Sequence, residues 1–297
     1  MPTHNTARLR GLLTAILTPF DFGGNLALEH FPALLSFQRS AGVDGVVVCG
    51  TNGEGTALSV SERKQTLETV LSHRGGMTIV AGTGGVSIAD AVELTRHASE
   101  VGADAALVLP SFFHKEATAA GQAHYYQRVL DAATIPVFLY NIPQFTGVVI
   151  TDELIELLLK HPNFAGIKDS AGNWERTQAL MQTYPNLLIY AGSDYLAARA
   201  YEAGGACISG GANAFPEVVA MIRNAYQREP GCCSLEEAQA RMDALIAITK
   251  NYPLIAVSKS VLAHRGLPRL SVRPPLVNLT SHEEIQLIAE LKLAGFL

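Results

Sequence analysis

The stretch FAGIKD, residues Phe164–Asp169, is a short apolar run that ends in a cation, Lys168. A second apolar run, VFLY at residues 137–140, ends in the phenol of Tyr140. The two end residues are 28 positions apart (168 − 140 = 28), about the length of one strand–helix unit in a parallel α/β protein. We therefore expect Lys168 and Tyr140 at the same end of neighbouring strands.

This pairing indicates carbonyl chemistry. An amine held in an apolar wall loses hydration, which favours its neutral, nucleophilic form. Beside a tyrosine that can move protons, such a lysine is suited to forming a Schiff base with a ketone. Each residue alone also has a plain structural interpretation: Lys168 as a surface residue paired with Asp169, and Tyr140 as a core aromatic with a solvated hydroxyl.

Short apolar runs alternate with longer amphipathic ones along most of the chain. The runs are mostly rich in Val, Ile or Leu, as strands buried on both faces are. They end near Thr18, Val48, Ala81, Val108, Tyr140, Lys168, Ala191 and Ser209. Eight such runs, mostly roughly 30 residues apart, predict an α/β fold of the (β/α)8 TIM-barrel type. A doubly wound sheet is the alternative, but its Gly-x-Gly-x-x-Gly turn does not follow the first run.

Helix-like stretches fill the intervals between the runs and dominate the end of the chain. Within residues 1–226, the predicted barrel, they cover 28–40, 59–72, 87–101, 119–132, 151–160, 174–183, 195–203 and 215–226. Ser59 with Glu62 has the spacing of a capping box. Residues 227–297 predict a C-terminal helical region, with helices over 235–250, 254–265 and 282–294.

The composition is that of a protein with a large buried core: 48% of the 297 residues are hydrophobic and 16% are charged. The net charge of −5 and the lack of a basic run argue against nucleic acid as a partner. No segment has the length of a membrane span. The four cysteines form no CxxC pair, so we expect reduced, buried thiols in a cytoplasmic protein. The nine histidines form no metal-binding signature, so no metal is predicted.

Active sites of parallel barrels lie at the carboxyl ends of the strands. Thr51 and Asn52 follow the second predicted strand, where their backbone N–H groups can hold a carboxylate and the Thr51 hydroxyl can pass a proton to Tyr140. The same two residues are also compatible with a simple turn. Two further sets of residues complete a pocket suited to a small oxo acid: Gly192 after the seventh strand, and Ile208, Ser209 and Gly210 at the end of the eighth. The glycine there is equally compatible with relief of crowding.

Three motifs occur together and in order: GTNGE at residues 50–54, YNIP at 140–143 and GIKD at 166–169. The chain thereby resembles the dihydrodipicolinate synthase / N-acetylneuraminate lyase superfamily of class I aldolases over nearly its whole length. The resemblance implies Lys168 as the Schiff-base lysine, Tyr140 as the acid/base and Thr51 as a proton relay. It places the carboxylate of pyruvate or another 2-oxo acid at the Thr51–Asn52 turn. It also implies a homotetramer, commonly a dimer of dimers, and no metal or organic cofactor.

Two departures from the lysine-biosynthetic members concern the second substrate. Phe145 stands where those enzymes carry an arginine, and Phe112 stands where they carry a relay tyrosine that completes a neighbouring subunit. Both changes, with Asn52, favour the 2-keto-3-deoxy sugar acid or 4-hydroxy-2-oxoglutarate aldolase branches. Specificity is then expected near Phe145, Ser209 and Gly210.

The sequence therefore predicts a pyruvate-type class I aldolase or lyase that acts on small-molecule 2-oxo acid and aldehyde substrates. Two alternatives stay open. One is 4-hydroxy-tetrahydrodipicolinate (dihydrodipicolinate) synthase, which condenses pyruvate with aspartate semialdehyde. The other is a non-catalytic sensor of 2-oxo acids on the same scaffold.

Overall fold

Eight parallel strands close into a barrel in the computed structural model, which describes residues 6–297. The strands are β1 (Leu12–Ala15), β2 (Gly45–Val48), β3 (Thr78–Gly82), β4 (Ala105–Val108), β5 (Val137–Asn141), β6 (Phe164–Asp169), β7 (Leu188–Ala191) and β8 (Ala206–Ser209). They pair in chain order, and β1 pairs with β8 to complete the ring. Every strand residue except Gly82 is buried, as expected for strands covered on both faces. The predicted TIM barrel is confirmed.

Helices connect the strands and form the end of the chain. They are α1 (Phe31–Ser40), α2 (Val60–Ser72), α3 (Ile88–Glu100), α4 (Ala119–Asp131), α5 (Pro143–Thr146), α6 (Asp152–Leu158), α7 (Trp174–Thr183), α8 (Ala197–Glu202), α9 (Pro216–Gln227), α10 (Leu235–Thr249), α11 (Leu254–His264) and α12 (Ser281–Leu293). The capping box is present: the Ser59 hydroxyl accepts from the Glu62 N–H at 3.2 Å, and the Glu62 carboxylate accepts from the Ser59 N–H at 2.8 Å. None of the helices among residues 6–297 is long and apolar enough to cross a membrane.

The first strand is shorter than the sequence predicts, since it ends at Ala15 and not near Thr18. Beyond the strand, the Leu17 N–H donates to the side chain of Asn213, and the Thr18 hydroxyl donates to the Gly53 carbonyl. The Ile16 N–H still donates to the Val47 carbonyl of β2 at 3.0 Å, and from Leu17 onward the hydrogen bonds go to loops. The apolar run continues because the segment stays buried under those loops.

The prediction of buried thiols is only partly right. Cys49 lies directly after β2 and Cys207 lies on β8, and both are buried free thiols. Cys232 is exposed and Cys233 is half-buried, because both lie in the connection between α9 and α10.

The predicted boundary near residue 226 lies at the C-terminal end of α9, and helices α10–α12 follow it. These helices share one hydrophobic cluster with the barrel. Met242 and Leu245 of α10 and Val261 of α11 pack in the same cluster as Phe20 and Phe215. The C-terminal helices consequently contribute to the core around the barrel.

A buried ion pair fastens α11 to the loop that follows β2. Lys259 Nζ lies 2.6 Å from Glu54 Oε1, and the two side chains are 1% and 2% exposed. The remaining polar atoms are also satisfied: Lys259 donates to the Ser271 carbonyl at 2.6 Å, and Glu54 Oε2 accepts from the Arg273 N–H at 2.8 Å. The C-terminal region thus fixes the loop in which Thr51 and Asn52 lie.

We expect the Lys259→Met variant to lose about 3–5 kcal/mol of unfolding free energy, because it leaves the Glu54 carboxylate buried without a counter-ion. Urea unfolding followed by circular dichroism measures the change. Lys160→Met is the matched control, since Lys160 is exposed and should shift stability by no more than about 0.5 kcal/mol. Equal stability of the two variants would contradict the role given to the pair.

Candidate active site

Lys168 and Tyr140 lie side by side at the carboxyl end of the barrel. They are register partners on β6 and β5, and Lys168 Nζ donates a hydrogen bond to Tyr140 Oη at 3.1 Å. The side chains are buried, with residue exposures of 4% and 3%. The ammonium nitrogen also lies 4.2 Å from the centre of the tyrosine ring. The predicted juxtaposition on neighbouring strands is therefore present.

The environment of Tyr140 makes it a better proton donor than an ordinary tyrosine. Burial by itself raises the pKa of the phenol. The charge of Lys168 and the hydroxyl groups of Thr51 and Ser170 outweigh burial, so the pKa of Tyr140 lies below its usual value of 10.0. A phenol with a lowered pKa and a direct contact to an amine is suited to exchange protons at that amine.

Asp169 does not neutralise Lys168, because successive side chains of a strand point to opposite faces. The Asp169 carboxylate faces the helices, where it accepts from Asn141 Nδ2 at 2.8 Å and from the Thr177 hydroxyl at 2.6 Å. The interpretation of Lys168 as a salt-bridged surface residue is therefore wrong. Lys168 faces the inside of the barrel mouth.

Thr51 lies on the other side of the phenol, in the tight turn after β2. Its hydroxyl is 3.1 Å from Tyr140 Oη, and either oxygen is able to donate. The turn is closed by bonds from the Gly55 N–H to the Gly50 carbonyl and from the Glu54 N–H to the Thr51 carbonyl, both 3.0 Å long. A side chain at position 55 would overlap the Cys49 carbonyl, so this position requires glycine. Lys168, Tyr140 and Thr51 consequently form a continuous chain of polar contacts.

A cavity of about 760 Å³ opens above this chain. Most of the predicted site residues line it: Thr51, Asn52, Tyr140, Phe145, Lys168, Gly192, Ile208 and Gly210. Asn52 is 9% exposed, and its Nδ2 is buried without a hydrogen-bond partner. A Cβ at Gly210 would stand 2.6 Å from that nitrogen, so the bare glycine leaves room for the amide.

Ser209 differs from the other predicted residues, since it does not line the cavity. Its neighbour Ile208 points into the barrel, so the Ser209 side chain points outward by strand alternation. There the Ser209 hydroxyl accepts from the Ala212 N–H at 2.9 Å. Its position supports a role in holding the loop after β8 and not the predicted contact with substrate.

The sequence assigned no role to two parts of the cavity. The first is the wall formed by the C-terminal helices, including Met242, Leu245 and Leu254. The second is Asp194, whose Oδ2 accepts from the Gly211 N–H at 2.9 Å while Oδ1 is buried without a partner. Burial raises the pKa of the Asp194 carboxyl, and the nearby Ser209 hydroxyl and Gly211 N–H partly offset this rise. The sequence feature that indicates Asp194 as a cavity residue is its position just after β7, at the carboxyl end of the barrel.

Within residues 6–297, no three His, Cys, Asp or Glu side chains are grouped closely enough to hold a metal ion. Lys168 is the charged member of the polar chain Lys168–Tyr140–Thr51. The chemistry that these residues can supply is amine addition with proton transfer at adjacent hydroxyls.

Residues 8–294 match the model of the Dihydrodipicolinate synthetase family. An uncharacterised DapA-like lyase from Chloroflexus aurantiacus is 38% identical over 284 residues, which cover 93% of this chain and 94% of the relative.

Two solved structures are similar to this one along nearly the whole chain. The first is a prophage protein of the dihydrodipicolinic acid synthase family from E. coli K12 in complex with pyruvate. It has a TM-score of 0.90 and 26% identity, covering 97% of this chain and 99% of that chain. The second is the 2-keto-3-deoxygluconate aldolase of Sulfolobus sulfataricus in complex with D-KDPG. It has a TM-score of 0.87 and 25% identity, covering 95% of each chain. The chain therefore belongs to the dihydrodipicolinate synthetase family, whose members are lyases and aldolases that use a Schiff-base lysine.

Proposed function

We propose that Lys168 forms the Schiff base and that the substrate is a 4-hydroxy-2-oxo acid, which the enzyme cleaves to pyruvate and an aldehyde. The observation that carries the proposal is the chain of polar contacts from buried Lys168 and Tyr140 to half-buried Thr51, with spacings of 3.1 Å, at the wall of the cavity. A nucleophile in hydrogen-bond contact with an acid/base, which a third group orients, is the arrangement that covalent catalysis requires.

The reaction begins when neutral Lys168 Nζ adds to C2 of the oxo acid and Tyr140 donates a proton to the carbonyl oxygen. Nζ then gives a proton to water in the cavity, which leaves the neutral carbinolamine. Tyr140, reprotonated through Thr51, then protonates the new hydroxyl group, which leaves as water. The product is a protonated imine between Nζ and C2, and this imine withdraws electrons from the adjacent carbons.

Cleavage follows from the imine. The phenolate left on Tyr140 takes the C4 hydroxyl proton, and the aldehyde carbonyl forms as the C3–C4 bond breaks. The bonding pair becomes the C2=C3 double bond of an enamine while the imine pair returns to Nζ, and the restored phenol is the acid for the next step. Protonation of C3 regenerates the imine, and addition of water to C2 releases pyruvate and returns Lys168 as the free amine. Lys168, Tyr140 and Thr51, to which we assign imine formation, belong to one chain. The homotetramer stays a prediction.

The substrate branch we propose is the 2-keto-3-deoxy sugar acids or 4-hydroxy-2-oxoglutarate. Phe145 lies in α5 at the mouth of the pocket and is 72% exposed, and it offers a phenyl ring where the carboxylate of aspartate semialdehyde would need a charged partner. Asn52 and Asp194 offer a buried amide donor and a buried carboxyl oxygen without partners, which complement hydroxyl groups. The similarity to a 2-keto-3-deoxygluconate aldolase supports the same branch.

Condensation of pyruvate with aspartate semialdehyde is the second candidate function, and the family name favours it. It uses the same imine, so Lys168, Tyr140 and Thr51 would keep their roles. A sensor of 2-oxo acids is the remaining alternative, and turnover of any oxo acid excludes it.

We expect pyruvate and sodium borohydride to add one reduced pyruvyl group to Lys168, because borohydride reduces the imine to a stable amine. Peptide mass spectrometry locates the adduct. Lys168→Ala should abolish labelling, whereas Lys250→Ala, which removes an exposed lysine of the same cavity, should leave it intact. An adduct on another lysine, or none, would refute the assignment.

We expect Tyr140→Phe to lower kcat by roughly 10²–10⁴, the range of general acid/base catalysis, while the fold and the affinity for the oxo acid are kept. Steady-state kinetics with a cleavable 2-oxo acid measures the loss. Tyr126→Phe is the control, because this buried tyrosine bonds the Val108 carbonyl outside the site. Turnover of Tyr140→Phe close to that of the unmodified enzyme would remove Tyr140 from the mechanism.

We expect kcat/KM for cleavage of a 2-keto-3-deoxy sugar acid or 4-hydroxy-2-oxoglutarate to exceed that for condensation of pyruvate with aspartate semialdehyde. The ratio of these constants measures discrimination between substrates. Phe145→Arg should raise the semialdehyde reaction relative to cleavage, because a guanidinium can bind a carboxylate in a bidentate manner. If the unmodified enzyme prefers the semialdehyde, the proposed branch is wrong while the Schiff-base lysine stands.

A further inference from the structure

The hydroxyl of Ser170 lies beside the acid/base pair and has no role in the mechanism above. Ser170 follows β6 two residues after Lys168, so both side chains point into the barrel mouth. Its N–H donates to the Asn141 carbonyl at 2.8 Å, one residue beyond the Tyr140–Lys168 register pair. This register puts the Ser170 hydroxyl next to the phenol, and it is one of the groups that lower the pKa of Tyr140.

The Ser170 hydroxyl is buried but unpaired. The residue is 7% exposed and lines the large cavity, and its Oγ has no hydrogen-bond partner. Its backbone is held in place, since Gln144 Nε2 donates to the Ser170 carbonyl at 2.8 Å. A buried hydroxyl without a hydrogen-bond partner lowers the stability of the fold, so its presence at this position needs an explanation.

Gly192 makes room for this hydroxyl. A Cβ at position 192 would overlap Ser170 Oγ and would stand 2.9 Å from Lys168 Cε. Glycine is therefore required at position 192, directly after β7, if Ser170 and Lys168 are to occupy their positions together. The three residues form one packed unit at the ends of β6 and β7.

The hydroxyl groups of Thr51 and Ser170, both near Tyr140, border different sets of cavities. Thr51 and Tyr140 line both the large cavity and a second one of about 410 Å³, on whose wall Phe112 presents a phenyl ring with no exchangeable proton. Of these two cavities, Ser170 lines only the large one. A proton path through Ser170 is therefore separate from a path through Thr51.

We propose that Ser170 is a second proton-relay residue for Tyr140, acting in parallel with Thr51. When Tyr140 gives its proton to the carbinolamine oxygen, the phenolate takes the hydroxyl proton of Ser170. Ser170 Oγ takes a proton in turn from a water molecule in the large cavity, and the hydroxide that remains is neutralised by the proton that Nζ releases. The hydroxyl is able to rotate between the two directions because no hydrogen bond fixes it. Ser170 acts through Tyr140, so its role rests on the proposed function.

Pyruvate is the probe that separates this role from recognition of substrate hydroxyls, because pyruvate has no hydroxyl group beyond C2. The enzyme is mixed with pyruvate, the mixture is quenched with borohydride at successive times, and mass spectrometry gives the rate of imine formation. We expect Ser170→Ala to slow imine formation by roughly 10-fold, less than the full acid/base contribution, because Thr51 still serves the phenol. The pyruvate concentration that half-saturates the rate should stay unchanged.

The double variant tests whether the two relays are parallel. Thr51→Val alone should also slow imine formation, and Thr51→Val/Ser170→Ala should approach the rate of Tyr140→Phe. Ser193→Ala removes a hydroxyl from the same cavity without contact to Tyr140 and is the matched control. Thermal unfolding of each variant establishes that the fold is intact.

Three outcomes overturn the inference. An unchanged rate of imine formation in Ser170→Ala, with a lower kcat/KM for a hydroxylated substrate only, assigns Ser170 to substrate binding. A slower rate of imine formation together with a higher half-saturating concentration of pyruvate assigns Ser170 to packing around Lys168. A double variant no slower than Thr51→Val excludes a second path. Absence of any trapped imine in the unmodified enzyme would instead refute the proposed function itself.

Discussion

The buried ion pair between Lys259 and Glu54 is the contact on which the active-site end of the barrel depends. Two charges removed from water are tolerated only when their remaining polar atoms are also satisfied. Here the Ser271 carbonyl and the Arg273 N–H complete the pair. Glu54 itself adopts a left-handed backbone conformation with φ of 53°, which is uncommon for a residue with a side chain. The pair compensates for this conformation and thereby holds the turn that carries Thr51.

A fixed turn matters because proton transfer depends strongly on distance. Thr51 reaches Tyr140 from β2, and Lys168 reaches it from β6, so the relay spans the barrel mouth. Small displacements of either strand end would break one of the two contacts. The close packing enforced by Gly55 and Gly192 limits such displacements, since a Cβ at either position would overlap a neighbouring atom. The catalytic geometry therefore rests on backbone packing as much as on the reacting side chains.

The C-terminal helices have two roles in this arrangement. Through Lys259, α11 braces the loop after β2. Through Met242 and Leu245, α10 provides part of the cavity wall that faces Lys168. The same region thus supports the residues that make the imine and shapes the space available to the aldehyde part of a substrate. A change in these helices is consequently able to alter specificity and stability together.

The local sequence determined the barrel and the central pair of the site. The apolar runs ending in Tyr140 and Lys168 predict strands, and parallel neighbours necessarily bring their ends together. Most of the site residues predicted from the strand ends also line the cavity. The family name came from the match over residues 8–294 and agrees with those motifs. What the sequence could not determine depends on contacts between distant segments. Glu54 and Lys259 are 205 positions apart, and no local pattern pairs them. Only the tertiary structure decided that the Ser209 side chain points away from the cavity while the Ser170 side chain lines it. The direction of a side chain depends on where its strand ends and on the register of that strand with its neighbours.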